Sequence, residues 1–65
     1  MTRQKAKKLL DEGYNYVVYA VTDFGKRKAG DIISKHKTFA TAWQRVKDDW
    51  NRVDVRRTFN YLFTE

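Results

Sequence analysis

Sixty-five residues with no cysteine and no proline make one small domain, residues 1–65, at the lower size limit for a core that must hold without help. The missing cysteines exclude disulfides, iron–sulfur clusters and thiolate zinc sites. Fourteen Lys and Arg against eight Asp and Glu give a formal charge of +6, so an anionic partner is weighed first, against the plainer account that the charge serves solubility.

Thr2 to Glu12 reads as a short helix. Thr2 can cap its start, and Gly13 sits where a left-handed residue ends a helix, with Tyr14 placed to pack back on Leu9 or Leu10. Its apolar stripe of Ala6, Leu9 and Leu10 is narrow, so the helix depends on docking, with the second apolar face of the following strand as the available surface. Lys7 with Asp11 and Lys8 with Glu12 are spaced to pair, but the acids lie at the wrong end of the helix dipole.

Tyr14 to Thr22 is almost entirely β-branched or aromatic and predicts a strand. Tyr16, Val18 and Ala20 line one side, and Val17, Tyr19 and Val21 the other. Both sides are apolar, which puts the strand in the middle of a sheet or beneath a cover. Asp31 to Lys37 predicts a second strand, with Ile32, Ser34 and His36 on one face and Ile33, Lys35 and Lys37 on the other. Between them, Asp23 to Gly30 holds two glycines and three cations, as expected of a hairpin with a long basic loop.

Thr38 is a candidate N-cap, and Phe39, Ala42, Trp43, Val46 and Trp50 recur at helical spacing. Trp43 and Trp50 share a face and are assigned to the core against the sheet, with a ligand-stacking platform as the alternative. Asp48 and Arg52 fall in a favourable order for pairing, and Asn51 can close the helix. The last segment is ambiguous. Val53, Val55, Phe59, Tyr61 and Phe63 alternate as a strand should, whereas Val55, Phe59, Leu62 and Phe63 fit a helical stripe capped by Asp54. Strand is preferred for its β-branched and aromatic content.

The expected fold is therefore α+β: a small two-layer α-β-β-α-β domain, with an antiparallel sheet packed on an amphipathic helix. The alternative is a β-hairpin carrying three helices.

Catalytic chemistry finds little support. His36 is the single histidine, and although Ser34 lies two residues away on the same strand face, no spacing indicates a carboxylate to orient it. Asp48 and Asp49 are adjacent on a helix, so their side chains diverge by about 100° and do not converge on a metal or a water. One histidine and scattered acids supply no metal-ligand spacing. Asp23-Phe24-Gly25 and Gly25-Lys26 match nucleotide-binding motifs in letters only. No enzyme, catalytic residue, metal or cofactor is expected.

Binding is the remaining class. Lys26, Arg27 and Lys28 cluster in the hairpin loop, Lys35 and Lys37 share a strand face, and Arg56 and Arg57 flank the tail. If the last strand joins the hairpin, Lys26, Arg27, Lys28, Lys35, Lys37 and Arg56 form a basic strip suited to nucleic-acid phosphates, to which Tyr14, Tyr16 or Tyr19 could add stacking on unpaired bases. The competing accounts are a solvated edge guarded by lysine, and an interaction or inhibitor module docking on an acidic protein partner. No apolar run approaches the length of a bilayer span and no secretory apolar core follows Met1-Thr2-Arg3-Gln4-Lys5, so a cytoplasmic protein without membrane contact, monomeric or homodimeric, is expected.

Overall fold

A computed structural model of the chain describes residues 1–63. Helix α1 (Arg3–Asp11) begins at Thr2, whose Oγ1 accepts from the Lys5 N–H at 3.2 Å. It ends in a Schellman motif: the Tyr14 N–H donates to Leu9 O at 2.8 Å and the Gly13 N–H to Leu10 O at 3.0 Å. Gly13 makes this closure possible by adopting φ +91°.

Strands β1 (Tyr16–Ala20), β2 (Ile32–His36) and β3 (Val53–Arg57) form an antiparallel sheet in the order β2-β1-β3. The strand with two apolar faces is thus central, as its composition requires. Its loop to β2 narrows into a turn at Phe24-Gly25-Lys26-Arg27, where Phe24 and Arg27 exchange backbone hydrogen bonds of 3.1 and 2.8 Å. Asp23 Oδ1 accepts from the Ala29 N–H at 2.7 Å and Asp31 Oδ2 from the Lys28 N–H at 2.9 Å, which fixes the loop's remaining length.

Helix α2 (Phe39–Val46), capped by Thr38, crosses one sheet face. The core there consists of Val18, Ala42, Val46 and Val53, flanked by Tyr16, Phe24, Ile33 and Val55. The opposite face is covered by α1 together with a terminal 3₁₀ helix (Thr58–Phe63), where Ala6, Val17 and Tyr61 form a second core with Met1, Leu9, Ile32 and Leu62 around it. Val17 and Val18 are fully buried on opposite faces. Each side chain stabilises the fold by about 1.5–3 kcal/mol.

Four expectations need correction. Trp43 and Trp50 do not build the core: they are 47% and 70% exposed, and small Ala42 with Val46 makes the contact instead. A bulge opposite the Val18–Tyr19 step inserts Ile33 as an extra residue, because Val18 pairs with Ser34 but Tyr19 with Ile32. Ile32 therefore shares the face of Lys35, and Ile33 packs under α2 with Val18, the reverse of strict alternation. Helix α2 stops at Val46 rather than near Asn51, and Arg45–Asp49, at 3.7 Å, is the ion pair its C-terminal side makes. The tail divides between its two readings, strand to Arg57 and 3₁₀ helix beyond.

Candidate functional site

The outer edge of β2 borders a groove of about 620 Å³, lined by Met1, Lys5 and Leu9 from the α1 side, Arg27 from the hairpin loop, and Ile32 and Lys35 from the strand. Its floor is apolar and its rim carries three cations. Asp31 is the acid in the lining, and its Oδ2 is engaged by the Lys28 N–H.

Lys35, which lines the groove, also reaches the ring of Tyr14 just before β1. The ammonium groups of Lys35 and Lys37 lie 4.6 and 5.5 Å from the centroid of the Tyr14 ring. Both cations gain from the ring's negative face, which gathers them despite their mutual repulsion. Tyr14 is held there through its backbone, because its carbonyl accepts the buried Thr58 hydroxyl at 2.7 Å.

The six cations named from the sequence are distributed as follows. Arg27 and Lys35 line the groove, and Lys37 adjoins it at Tyr14. Lys26 and Lys28 are exposed in the loop on either side of Arg27 and do not line the groove. Arg56 shares the sheet face of Lys35, each paired with Val17 from opposite sides. Val17 is buried beneath Ala6 and Tyr61, so that covering layer rises between the two cations. The Arg56 guanidinium lies 4.8 Å from the Tyr19 ring centroid and 5.3 Å from that of Tyr61. Burial raises the pKa of the Tyr61 phenol above its ordinary value, while the charge of Arg56 and its hydrogen bond to Tyr61 oppose that rise.

Lys5 is the groove cation that composition did not single out. Met1, Lys5 and Leu9 are four residues apart, so a search for one helical face bearing a cation between two apolar residues would have found it.

A second surface lies on α2. The Phe39 and Trp43 rings are 8° from parallel with centroids 6.4 Å apart, and the edge of Tyr16 meets Phe39 at 5.7 Å and 71°. Phe39 is 51% exposed, so this row is an aromatic surface open to solvent. Tyr16 pairs across the sheet with His36 on one side and Arg57 on the other, which places a basic residue beside it on each neighbouring strand.

Ser34 Oγ and His36 Nε2 are 2.7 Å apart. Burial, and secondarily the charge of Arg45, lower the His36 pKa from 6.5. An orienting carboxylate would raise it, so the surroundings of this pair act against imidazolium formation. Among the described residues, no group of three or more His, Asp or Glu side chains is placed to hold a metal ion, and no helix is long and apolar enough to cross a membrane.

Comparisons with known proteins add no assignment: no family model matches the chain, and no curated protein or solved structure matches it.

Proposed function

We propose that this chain is a nucleic-acid-binding protein whose cationic β2 edge contacts the phosphate backbone. The observation that supports this reading is the convergence of Lys5, Arg27 and Lys35 on one groove, with Lys37 beside Lys35 over Tyr14. A domain of charge +6 concentrates counterion-releasing side chains there, and Lys26 and Lys28 extend the field along the exposed loop. The activity is binding rather than catalysis. Titration of labelled oligonucleotides at low and moderate salt tests it. Affinity should fall steeply as salt rises, and changing Lys26, Arg27 and Lys28 together to Ala should weaken it. Absence of binding at low salt removes the reading.

One observation favours a second reading. β2 is an edge strand, and its outer side borders an apolar groove rimmed by cations, a geometry suited to adding an extended acidic peptide as a fourth strand. Competition between an alternating Glu/Val peptide and an oligonucleotide separates the two: a peptide that binds while nucleic acid does not makes this an interaction module.

A further inference from the structure

We infer that the nucleic acid taken by this chain is unpaired, and that one of its bases stacks on the Phe39–Trp43 row. This rests on the nucleic-acid reading and names the form of the ligand.

The core leaves these rings unused. Ala42 and Val46 seat α2 on the sheet, so packing does not account for two neighbouring aromatic side chains about half open to water. The row is also held in place. Tyr16 braces Phe39 edge-on, and Phe39 lies nearly parallel to Trp43, so the stacking surface is ordered before a ligand arrives.

The short connection from β2 to α2 joins this surface to the cationic edge. Lys37 precedes Phe39 by two residues, a backbone reach of no more than about 7 Å. Lys35 lies on the α1 face of the sheet and the row on the α2 face, so a strand following Arg27, Lys35 and Lys37 past Tyr14 reaches the start of α2 by rounding the end of β2. Arg57, paired with Tyr16 on the same sheet face, offers a further phosphate contact beyond it. A base within a duplex is already stacked on both sides and cannot use such a row. An unpaired base can, whatever its identity, because every base has a π-face.

The test compares an oligothymidylate of about 10 nucleotides with a duplex of equal length. Trp50→Phe is the background, so that Trp43 is the single indole. The single strand should quench Trp43 fluorescence and bind more tightly than the duplex. Trp43→Ala should weaken single-strand binding by roughly 5- to 100-fold while leaving both the salt slope and the duplex affinity unchanged. Phe39→Ala should repeat this pattern and provides the answer if Trp43→Ala does not fold, and Trp43→Phe should retain most of the affinity.

Unchanged single-strand affinity in both alanine variants, or equal binding of duplex and single strand without quenching, overturns the inference and leaves phosphate binding standing. Failure of both oligonucleotides to bind at low salt overturns inference and function together. A concentration-dependent dimer that Trp43→Ala dissolves would also overturn it, by showing a second copy on the row.

Discussion

The hydroxyl of Thr58 donates to the carbonyl oxygen of Tyr14 at 2.7 Å, joining residues 44 positions apart. The Thr58 N–H donates to Asn15 O at 2.8 Å, so the end of β3 is tied twice to the segment entering β1. That segment carries the ring over which Lys35 and Lys37 gather. Thr58→Val keeps the shape of this fully buried side chain but leaves the Tyr14 carbonyl without its donor. A loss of about 1–3 kcal/mol is expected in urea denaturation, with a weakened oligonucleotide affinity even where the variant is fully folded. Affinity unchanged in the folded variant would show that Tyr14 does not position the cations.

The groove cations should be distinguishable from Arg56 by salt dependence. Lys35→Gln with Lys37→Gln removes two charges that bear on one path. The slope of log affinity against log salt should then fall by about 1.8 for duplex and about 1.4 for single strand. Arg56 is engaged with the rings of Tyr19 and Tyr61 on the far side of the α1 layer. Arg56→Gln should therefore cost stability, by about 1 kcal/mol, and change the salt slope less than either lysine. A slope unaffected by the lysines but reduced by Arg56→Gln would move the phosphate path to the β3 side.

Much of this architecture is legible in the residues, and the exceptions have physical causes. Thr2, Gly13 and Thr38 mark helix boundaries through local hydrogen bonds and backbone conformation, which depend on neighbours in sequence. The two apolar faces of β1 likewise require a cover on each side, which α2 and the α1 layer provide. A bulge cannot be read this way. The extra residue at Ile33 is defined by its partner strand, and one insertion exchanges the faces of Ile32 and Ile33. Helical spacing also placed Phe39 and Trp43 in the apolar stripe without locating its centre. At about 100° per residue, the mean direction of Ala42 and Val46 lies about 60° from that of Phe39 and Trp43. The small pair faces the sheet, leaving the large rings on the flank. As for the site, the loop and strand cations stand out by composition, but the meeting of Lys5 with Arg27 and Lys35 depends on α1 folding back beside β2, which no local pattern reports.

His36 gives the fold a dependence on pH. Its folded pKa is below the ordinary 6.5, through burial and then the charge of Arg45. The unfolded chain therefore binds the proton more readily. The stabilisation is fully present above pH 6.5 and is lost as pH falls through the folded value. Denaturation across about pH 5 to 8 should show stability rising with pH, and His36→Gln should flatten that rise. Arg45→Gln should make the rise smaller, since the neighbouring charge no longer disfavours the imidazolium and the folded value moves back toward 6.5. A curve for His36→Gln that superimposes on the wild type would assign the dependence elsewhere.

The position of α2 predicts an inversion of the usual size ranking. Val46 is 2% exposed and packs with Val18 and Val53, so Val46→Ala removes two buried methyl groups and leaves a cavity. A cost of about 2–3 kcal/mol is expected. Trp43→Ala removes a far larger side chain, but one about half in water with Phe39 as its ring partner, and should cost only about 1 kcal/mol. Paired urea titrations decide between these sites. A tryptophan that costs more than the valine would have to lie against the sheet, and the row would then be core packing instead of a surface for a ligand.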